Sequence, residues 1–338
     1  MTYVGIDVGG TSIRGVRVRS DGRVAASEQV AQPGDVAALL DTLAALTRAL
    51  SQADTAAVGV GMAGLVRWPE GIFVWGPHLP GRQIKVREVL GEMLGMPVIV
   101  DNDANCAALA ELRIGAATGV QDAVVLTFGT GIGAGIIASG AVYRGRSFAG
   151  EAGHMTMLPG GDLCACGRRG CWETLVSGHR FDEAARRLAA VDPDGAVSRL
   201  AGGAAASGTH LTAAAAAGDK SAREALAAAG RWLGRGVANL VVLLDPELIV
   251  VGGAAVAAGE WLLGPARAEM RQVLEGVEHR PSIRIEAAAA GPWAGAIGAG
   301  LLAGSAGMVL TPEKVPSSYP VSERGKRGAQ RQEGGSSG

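Results

Sequence analysis

Apolar runs separated by short glycine-rich breaks predict three strands at the start of the chain. They span residues 3–7, 13–19 and 24–30, with breaks at residues 9–10 and 21–22. Tight glycine turns between such runs are typical of β-hairpins. The design returns about 120 residues later, which predicts two similar halves. The second copy consists of strands at residues 123–128, 134–138 and 141–143, with turns at residues 129–133 and 139–140.

Helical and strand-like patterns alternate along the rest of the chain. Helices are predicted at residues 36–52, 104–114, 181–188, 221–242, 261–274 and 294–302. Further strands are predicted at residues 56–61, 98–100, 248–251 and 283–286. Because such alternation favours mostly parallel sheets covered by helices, we predict an α/β fold. We expect the last helix to pack back onto the first half.

These patterns predict two domains and a tail. Residues 1–116 form a small α/β domain, which a C-terminal helix at residues 292–310 completes. Residues 117–291 form a larger α/β domain. Residues 311–338 contain Ser, Gly, Pro, Lys and Arg without an apolar period, so we expect them to be disordered.

Composition excludes several classes of protein. Glycine occupies 53 of 338 positions, but 48% hydrophobic residues and only 14 prolines exclude a disordered chain and collagen. The formal net charge of −1 provides no basic field, so we expect neither nucleic acid nor a membrane as a partner. The N-terminus lacks the regions of a secretory signal, and no apolar stretch is long enough to span a bilayer. We therefore expect a soluble, cytoplasmic protein.

Two glycine-rich loops occupy corresponding points of the duplicated pattern. DVGGT at residues 7–11 and TFGTGIGAG at residues 127–135 each lie between two predicted strands. Glycines let backbone N–H groups approach a phosphate closely, and the two motifs also contain one carboxylate and several hydroxyl groups. Either motif alone is compatible with an ordinary hairpin turn. Their pairing favours a site that holds a polyphosphate between the two halves.

The segment DNDANCAALAE, residues 101–111, follows a predicted strand and opens a helix. Asn and Asp are good N-cap residues, so helix capping alone would explain Asn102 and Asp103. Capping is compatible with function, because α/β proteins place ligand-binding groups at the carboxyl ends of strands. A carboxylate near a helix N-terminus stays ionised and can accept a proton.

A cysteine cluster follows the EAGHM motif of residues 151–155. The four candidate ligands are His154, Cys164, Cys166 and Cys171. Three thiolates and one imidazole form a complete tetrahedral zinc set, which leaves no open position and so predicts a structural Zn²⁺. The alternative is a group of reduced structural thiols beside a solvent-facing histidine. Clustered cysteines also favour a reducing compartment, and the separate Cys106 is expected in the core.

Together these motifs resemble the ROK family (repressor, open reading frame, kinase) of the actin and hexokinase superfamily. DVGGT resembles the first phosphate loop of that superfamily, FGTGIGAGIIASGAVYRGRSFAGEAGHM at residues 128–155 the family signature, and VVGGAAVAAG at residues 250–259 its adenosine loop. The resemblance covers residues 3–302. It implies two similar actin/hexokinase-like (ribonuclease H-like) domains with the active-site cleft between them.

The resemblance also implies roles for individual residues. Asp103 is expected to be the catalytic general base. The expected sugar-binding residues are Gly64, Asn102, Asp103, Glu151, His154 and Glu173. The expected ATP-binding residues are Asp7, Gly9, Gly10, Thr11, Gly129, Thr130, Gly131, Gly133, Gly252 and Gly253. Zinc in similar proteins shapes the sugar pocket, with His154 facing both the metal and the sugar.

The activity implied is ATP- and Mg²⁺-dependent phosphorylation of a hexose at its 6-hydroxyl, with glucose as the expected sugar. N-acetylmannosamine and fructose are alternatives, since His78 and the absence of a tryptophan after Gly81 depart from the family pattern near the sugar. Ser12 and Ala254 replace a common lysine and glycine, which is expected to affect ATP affinity. A sugar-responsive regulator is disfavoured, because no winged helix-turn-helix precedes DVGGT. A homodimer or homotetramer is expected.

Overall fold

The computed structural model describes residues 1–309, so the predicted tail lies outside the described residues. The first half forms a five-stranded sheet, a separate two-stranded hairpin and three helices. In chain order its elements are β1 (Thr2–Val8), β2 (Ser12–Arg19), β3 (Val24–Ala31), α1 (Val36–Leu50), β4 (Thr55–Met62), β5 (Leu65–Arg67), β6 (Ile72–Trp75), α2 (Val86–Leu94), β7 (Val98–Asn102) and α3 (Asp103–Ile114).

The second half repeats this plan with more helices. Its elements are β8 (Ala123–Phe128), β9 (Ile132–Ala138), β10 (Ala141–Tyr143), α4 (Gly178–Val191), α5 (Ala196–Ala201), α6 (Gly208–Ala216), α7 (Lys220–Leu244), β11 (Leu248–Gly253), α8 (Ala255–Ala258), α9 (Glu260–Val273) and β12 (Arg284–Ala287). Short 3-10 turns lie at Ala152–His154, Trp172–Thr174 and Val277–His279. The last described helix is α10 (Ala294–Val309).

The two sheets have the same topology. Their strand orders are β3-β2-β1-β4-β7 and β10-β9-β8-β11-β12. In each sheet the first three strands are antiparallel and the next two join in parallel. The repeated hairpins and parallel crossovers confirm the predicted α/β fold with two similar halves.

Within the described residues, the sequence patterns missed four short helices and the two strands of the separate hairpin. The β5–β6 hairpin pairs only with itself, and neither it nor α2, α5, α6 or α8 was predicted. Several predicted helices differ by a few residues at their ends. Helix α1, predicted to reach residue 52, ends at Leu50, where the N–H of Ser51 donates to the Thr47 carbonyl and the backbone becomes extended.

Helix α10 packs directly on the sheet of the first half. A Cβ on Gly5 of β1 would lie 1.9 Å from the Ala296 carbonyl oxygen, and one on Gly59 of β4 would lie 1.8 Å from that of Ala299. On its other side, a Cβ on Gly298 would lie 1.7 Å from the Cys106 carbonyl oxygen of α3. These glycines allow backbone to approach backbone, which seats α10 between β1, β4 and α3.

Two connections join the halves: residues 115–122 lead from α3 to β8, and residues 288–293 lead from β12 to α10. The buried carboxylate of Glu111 holds both. It accepts the N–H of Ala116 at 2.8 Å, that of Ala289 at 3.1 Å and that of Ala290 at 2.9 Å. We propose that the two domains divide at these connections. Among the described residues, no helix combines the length and apolar character needed to cross a membrane.

Candidate active site

A cleft of about 1010 Å³ is lined by residues of both halves. The predicted site residues that line it are Asp7, Gly9, Gly10, Thr11, Gly64, Asn102, Asp103, Gly129, Thr130, Gly131, Gly133, Glu151, His154, Cys166, Glu173 and Gly253. The other three, Gly252, Cys164 and Cys171, are buried and do not line it. The fold therefore brings motifs from distant parts of the sequence to one cleft.

The first glycine loop turns tightly between β1 and β2. The N–H of Gly9 donates to the Ser12 carbonyl at 3.0 Å, and a Cβ on Gly10 would lie 2.7 Å from the Cβ of His78. Asp7 lies at the end of β1, directly opposite Arg14 of β2. Burial, together with the charge of Asp103, raises the pKa of Asp7 to about 7 although Arg14 lowers it.

The second glycine loop lies between β8 and β9. The N–H of Gly129 donates to the Gly131 carbonyl at 3.1 Å, and a Cβ on Gly131 would lie 2.1 Å from Oε2 of Glu173. Gly253, at the end of β11, adopts φ +70°, and a Cβ there would lie 2.1 Å from the Phe128 carbonyl oxygen. At Gly253 the positive φ and the approach to backbone both require glycine, so the end of β11 packs against the end of β8, directly before the second loop.

Asn102 and Asp103 lie where β7 passes into α3. The Asn102 side chain caps the helix, because its Oδ1 accepts the N–H groups of Ala104 at 2.9 Å and Asn105 at 3.1 Å. Its Nδ2 donates to the carbonyl of Gly64 at 3.1 Å. An amide nitrogen carries two hydrogens, so one remains to reach a ligand. Capping and ligand binding are thus compatible at this position.

Asp103 projects from the first turn of α3 into the cleft. Its Oδ1 accepts the N–H of Ala104 at 2.9 Å. Burial raises the pKa of Asp103 to about 6; backbone hydrogen bonds oppose this rise, and the charge of Asp101 adds to it. The carboxylate is ionised above this pH and can then accept a proton.

Three further side chains approach the cleft from the second half. Nε2 of His154 lies 3.9 Å from a carboxylate oxygen of Glu151, and Nδ1 lies 3.5 Å from one of Glu173. Burial raises the pKa of Glu151 to about 7, and the charges of Asp103 and Glu173 add to this rise. We call Asp7, Gly64, Asn102 and Asp103 the first wall of the cleft, and Glu151, His154 and Glu173 the second wall.

The Cys/His cluster lies directly behind the second wall. One ligand atom from each of the four predicted residues lies within 4.8 Å of the others. Sγ of Cys164 is 3.6 Å from Nδ1 of His154, and the Sγ atoms of Cys166 and Cys171 are 3.6 Å apart. A tetrahedral site with Zn–S bonds of about 2.3 Å has edges of roughly 3.8 Å between sulfurs. All the cysteines are free, so the donor set fits one zinc ion.

A comparison with known protein families identifies the family of the chain. The sequence model of the ROK family matches residues 3–306. The chain belongs to the ROK family. It is 35% identical over 306 residues to a glucokinase of Streptomyces coelicolor, covering 89% of this chain and 96% of the relative. It is 30% identical over 268 residues to an N-acetylmannosamine kinase of Escherichia fergusonii, covering 78% and 86% of the two chains.

A solved structure gives the same result for the ROK fold. The crystal structure of a ROK family glucokinase from Streptomyces griseus, in complex with glucose and AMPPNP, matches with a TM-score of 0.84. Its sequence is 36% identical, and the match covers 90% of this chain and 100% of the other. The predicted actin/hexokinase-like architecture is therefore confirmed.

Several polar residues of this ROK protein were not identified from sequence. Arg14 lines the cleft beside the first glycine loop and donates to the Pro292 carbonyl at 3.1 Å. Arg144 pairs with Asp101, which is not among the predicted site residues. Arg144 lies inside the run that resembles the family signature, but one arginine after a strand does not reveal its partner. Neither contact has a local sequence signal.

Proposed function

We propose that this chain transfers the γ-phosphoryl group of Mg·ATP to the 6-hydroxyl of a hexose, with glucose as the sugar. Asp103 carries the proposal, because its carboxylate stands in a cleft with glycine loops suited to phosphates and polar side chains suited to sugar hydroxyls. The likeness to a glucokinase over 96% of that relative supports the choice of sugar.

The sugar lies between the two walls in this proposal. Asn102 offers its remaining amide hydrogen, while Glu151 and Glu173 offer acceptors to hydroxyl groups. Nδ1 of His154 faces Cys164, which leaves Nε2 to face the sugar. These groups hold the 6-hydroxyl against Asp103, and holding reactants in place is a large part of the catalysis of phosphoryl transfer.

ATP lies along the two glycine loops, with its adenosine against Gly252 and Gly253. Backbone N–H groups of both loops stabilise the phosphate charges. Mg²⁺ prefers oxygen ligands, and Asp7 offers a carboxylate beside the first loop. Arg14, on the neighbouring strand, supplies positive charge to the same region.

Proton transfer accompanies the phosphoryl transfer. The 6-hydroxyl oxygen forms a bond to the γ-phosphorus as the bond from that phosphorus to the β,γ-bridging oxygen breaks, and ADP leaves. Asp103 takes the proton of the hydroxyl. Closure of the two halves around the sugar would exclude water, which could otherwise accept the phosphoryl group.

A panel of sugars tests the proposal. Formation of phosphorylated sugar is measured with glucose, N-acetylmannosamine, fructose and mannose, each with ATP and with polyphosphate as donor. We expect glucose with ATP to give the highest kcat/KM. A clear preference for N-acetylmannosamine or fructose would overturn the choice of sugar, and absence of phosphorylated sugar in every reaction would overturn the kinase itself.

The remaining expectations are also proposals. His154, Cys164, Cys166 and Cys171 would hold one structural Zn²⁺, which fixes the segment that carries the second wall. We propose a cytoplasmic homodimer or homotetramer with no nucleic-acid partner. Light scattering after gel filtration measures the assembly, and retention of labelled DNA in a gel shift would contradict the last point.

A further inference from the structure

We propose that Asp101 and Arg144 form a positioning pair that holds Asp103 in place and joins the two halves of the protein. The proposal rests on the proposed function of Asp103 as the base. It gives a role to the ion pair of Asp101 and Arg144, neither of which is among the residues proposed to bind the sugar or ATP.

Arg144 binds Asp101 with two of its nitrogens. Nε and Nη2 each lie 2.7 Å from Oδ2 of Asp101, and Nη1 donates to the Val142 carbonyl at 3.1 Å. The side chain of Asp101 is 2% exposed and that of Arg144 is 17% exposed. Charge-assisted contacts of this kind are strong and directional, and shielding from water strengthens them.

The other oxygen of Asp101 holds the segment that carries the base. Oδ1 accepts the backbone N–H of Asn102 at 2.8 Å and the side-chain amide of Asn105 at 3.0 Å. Asn102 caps α3, and Asp103 is the first residue of that helix. The pair therefore fixes the end of β7 and the first turn of α3, from which Asp103 projects.

The same arginine connects the two halves. Asp101 lies near the carboxyl end of β7, the edge strand of the first sheet. Arg144 follows β10, the edge strand of the second sheet. The guanidinium lies 4.2 Å from the centre of the Trp68 ring, which belongs to the first half. Beside it, Oγ of Ser147 accepts the N–H of Trp68 and donates to its carbonyl, each at 3.1 Å. A movement of the second half relative to the first would therefore act, through Arg144 and Asp101, on the position of Asp103.

Arg144 also neutralises a charge that acts on Asp103. Several charged groups surround this carboxylate: Asp7 from β1, Asp101 from β7 and Glu151 from the second half. Arg14 of β2 faces Asp7, while Glu173 and His154 face Glu151. Without Arg144, the Asp101 charge would be unpaired and would raise the pKa of Asp103 further.

Four variants test this role through a pH profile. We measure kcat against pH for the unaltered protein, Arg144→Met, Asp101→Asn, the double variant and Arg144→Lys. Arg144→Met should move the acid limb upward by about one pH unit, because one negative charge near Asp103 is left uncompensated. Asp101→Asn should lower it, because the Asp101 charge raises the pKa of Asp103, and adding Asp101→Asn to Arg144→Met should reverse the upward shift. Arg144→Lys keeps the charge and should restore most of the profile, with a lower kcat because the two-nitrogen contact is lost.

A direct titration separates the pair from the enzyme activity. The carboxyl carbon of Asp103 is followed by ¹³C NMR in protein labelled at aspartate and is assigned by its loss in Asp103→Asn. Circular dichroism verifies that each variant is folded, and Asp101→Asn provides the titration if Arg144→Met does not fold. Arg280→Met, which breaks the exposed pair with Asp245, is the matched control and should leave the Asp103 titration unchanged.

The outcomes are distinct. An upward shift in Arg144→Met that Asp101→Asn reverses supports the pair. An Asp103 titration and acid limb that do not move in folded Arg144→Met and Asp101→Asn overturn it, although the kinase proposal would stand. If the unaltered protein phosphorylates no sugar, the kinase proposal fails and the positioning role fails with it.

Discussion

The two walls of the cleft are built in different ways. In the first wall, Asn102 and Asp103 lie at the junction of β7 and α3, where backbone hydrogen bonds fix them. In the second wall, Glu151, His154 and Glu173 lie in 3-10 turns or next to one, beside the cysteine cluster. Regular structure therefore organises the first wall, whereas the second would depend on the proposed zinc site.

The largest effect should come from the first wall. Asp103→Asn keeps the shape of the side chain but removes its ability to accept a proton. We expect kcat to fall by at least about 100-fold, since a general base contributes about that much or more. Binding of glucose, followed by tryptophan fluorescence, should change little. A kcat near that of the unaltered protein would show that Asp103 is not the base.

Loss of the proposed zinc ion should weaken sugar binding by the second wall. Cys171→Ser removes one of four ligands, so we expect the zinc content to fall from about one per chain. The KM for the sugar should rise by about tenfold or more, because Glu173 and His154 lose their support. Elemental analysis and steady-state kinetics measure both changes.

Cys106→Ala is the matched control for the metal site. Cys106 is buried in α3, burial raises the pKa of its thiol, and it lies outside the cluster. This variant should keep its zinc and its KM for sugar. Full activity of Cys171→Ser without zinc would contradict the dependence of the second wall on the metal.

The support beneath the first wall is close packing. A Cβ in Gly59→Ala would lie 1.8 Å from the Ala299 carbonyl oxygen, so β4 and α10 must move apart. We expect the free energy of unfolding to fall by about 1–3 kcal/mol, a typical cost of overpacking, without loss of zinc. Thermal and urea unfolding measure it. Gly34→Ala is the control because no neighbouring atom lies within 4 Å of its added Cβ; equal stability of both variants would show that the contact is not needed.

Local patterns account for the parts of the molecule that sequence could predict. Apolar runs and glycine turns predict the hairpins β1–β2 and β8–β9, and three of the four cysteines lie within eight consecutive residues, 164–171. The role of Asp103 came from the resemblance to the ROK family, which rests on a short motif after a strand; the motif alone was also compatible with helix capping. In each case the residues that matter are neighbours in the chain.

Contacts between distant segments were beyond the sequence patterns. Asp101 and Arg144 are 43 residues apart, and only the approach of two sheets makes them partners. No role was predicted for Glu111, yet its carboxylate accepts hydrogen bonds from backbone amides 178 and 179 residues away. Pairing between halves depends on tertiary packing, which neither periodicity nor spacing describes.

The smallest expected effect is a pH dependence that distinguishes the walls. Because burial raises the pKa of Asp103 to about 6, protonation should halve kcat as the pH falls to that value, and kcat should level off above it. A base must be ionised to act, so the loss occurs on the acid side. A kcat profile from pH 5 to pH 9 measures it, with zinc content and circular dichroism at pH 5.5 as controls. Loss of zinc in step with kcat would assign the acid limb to the second wall, whereas an acid limb with zinc retained assigns it to Asp103.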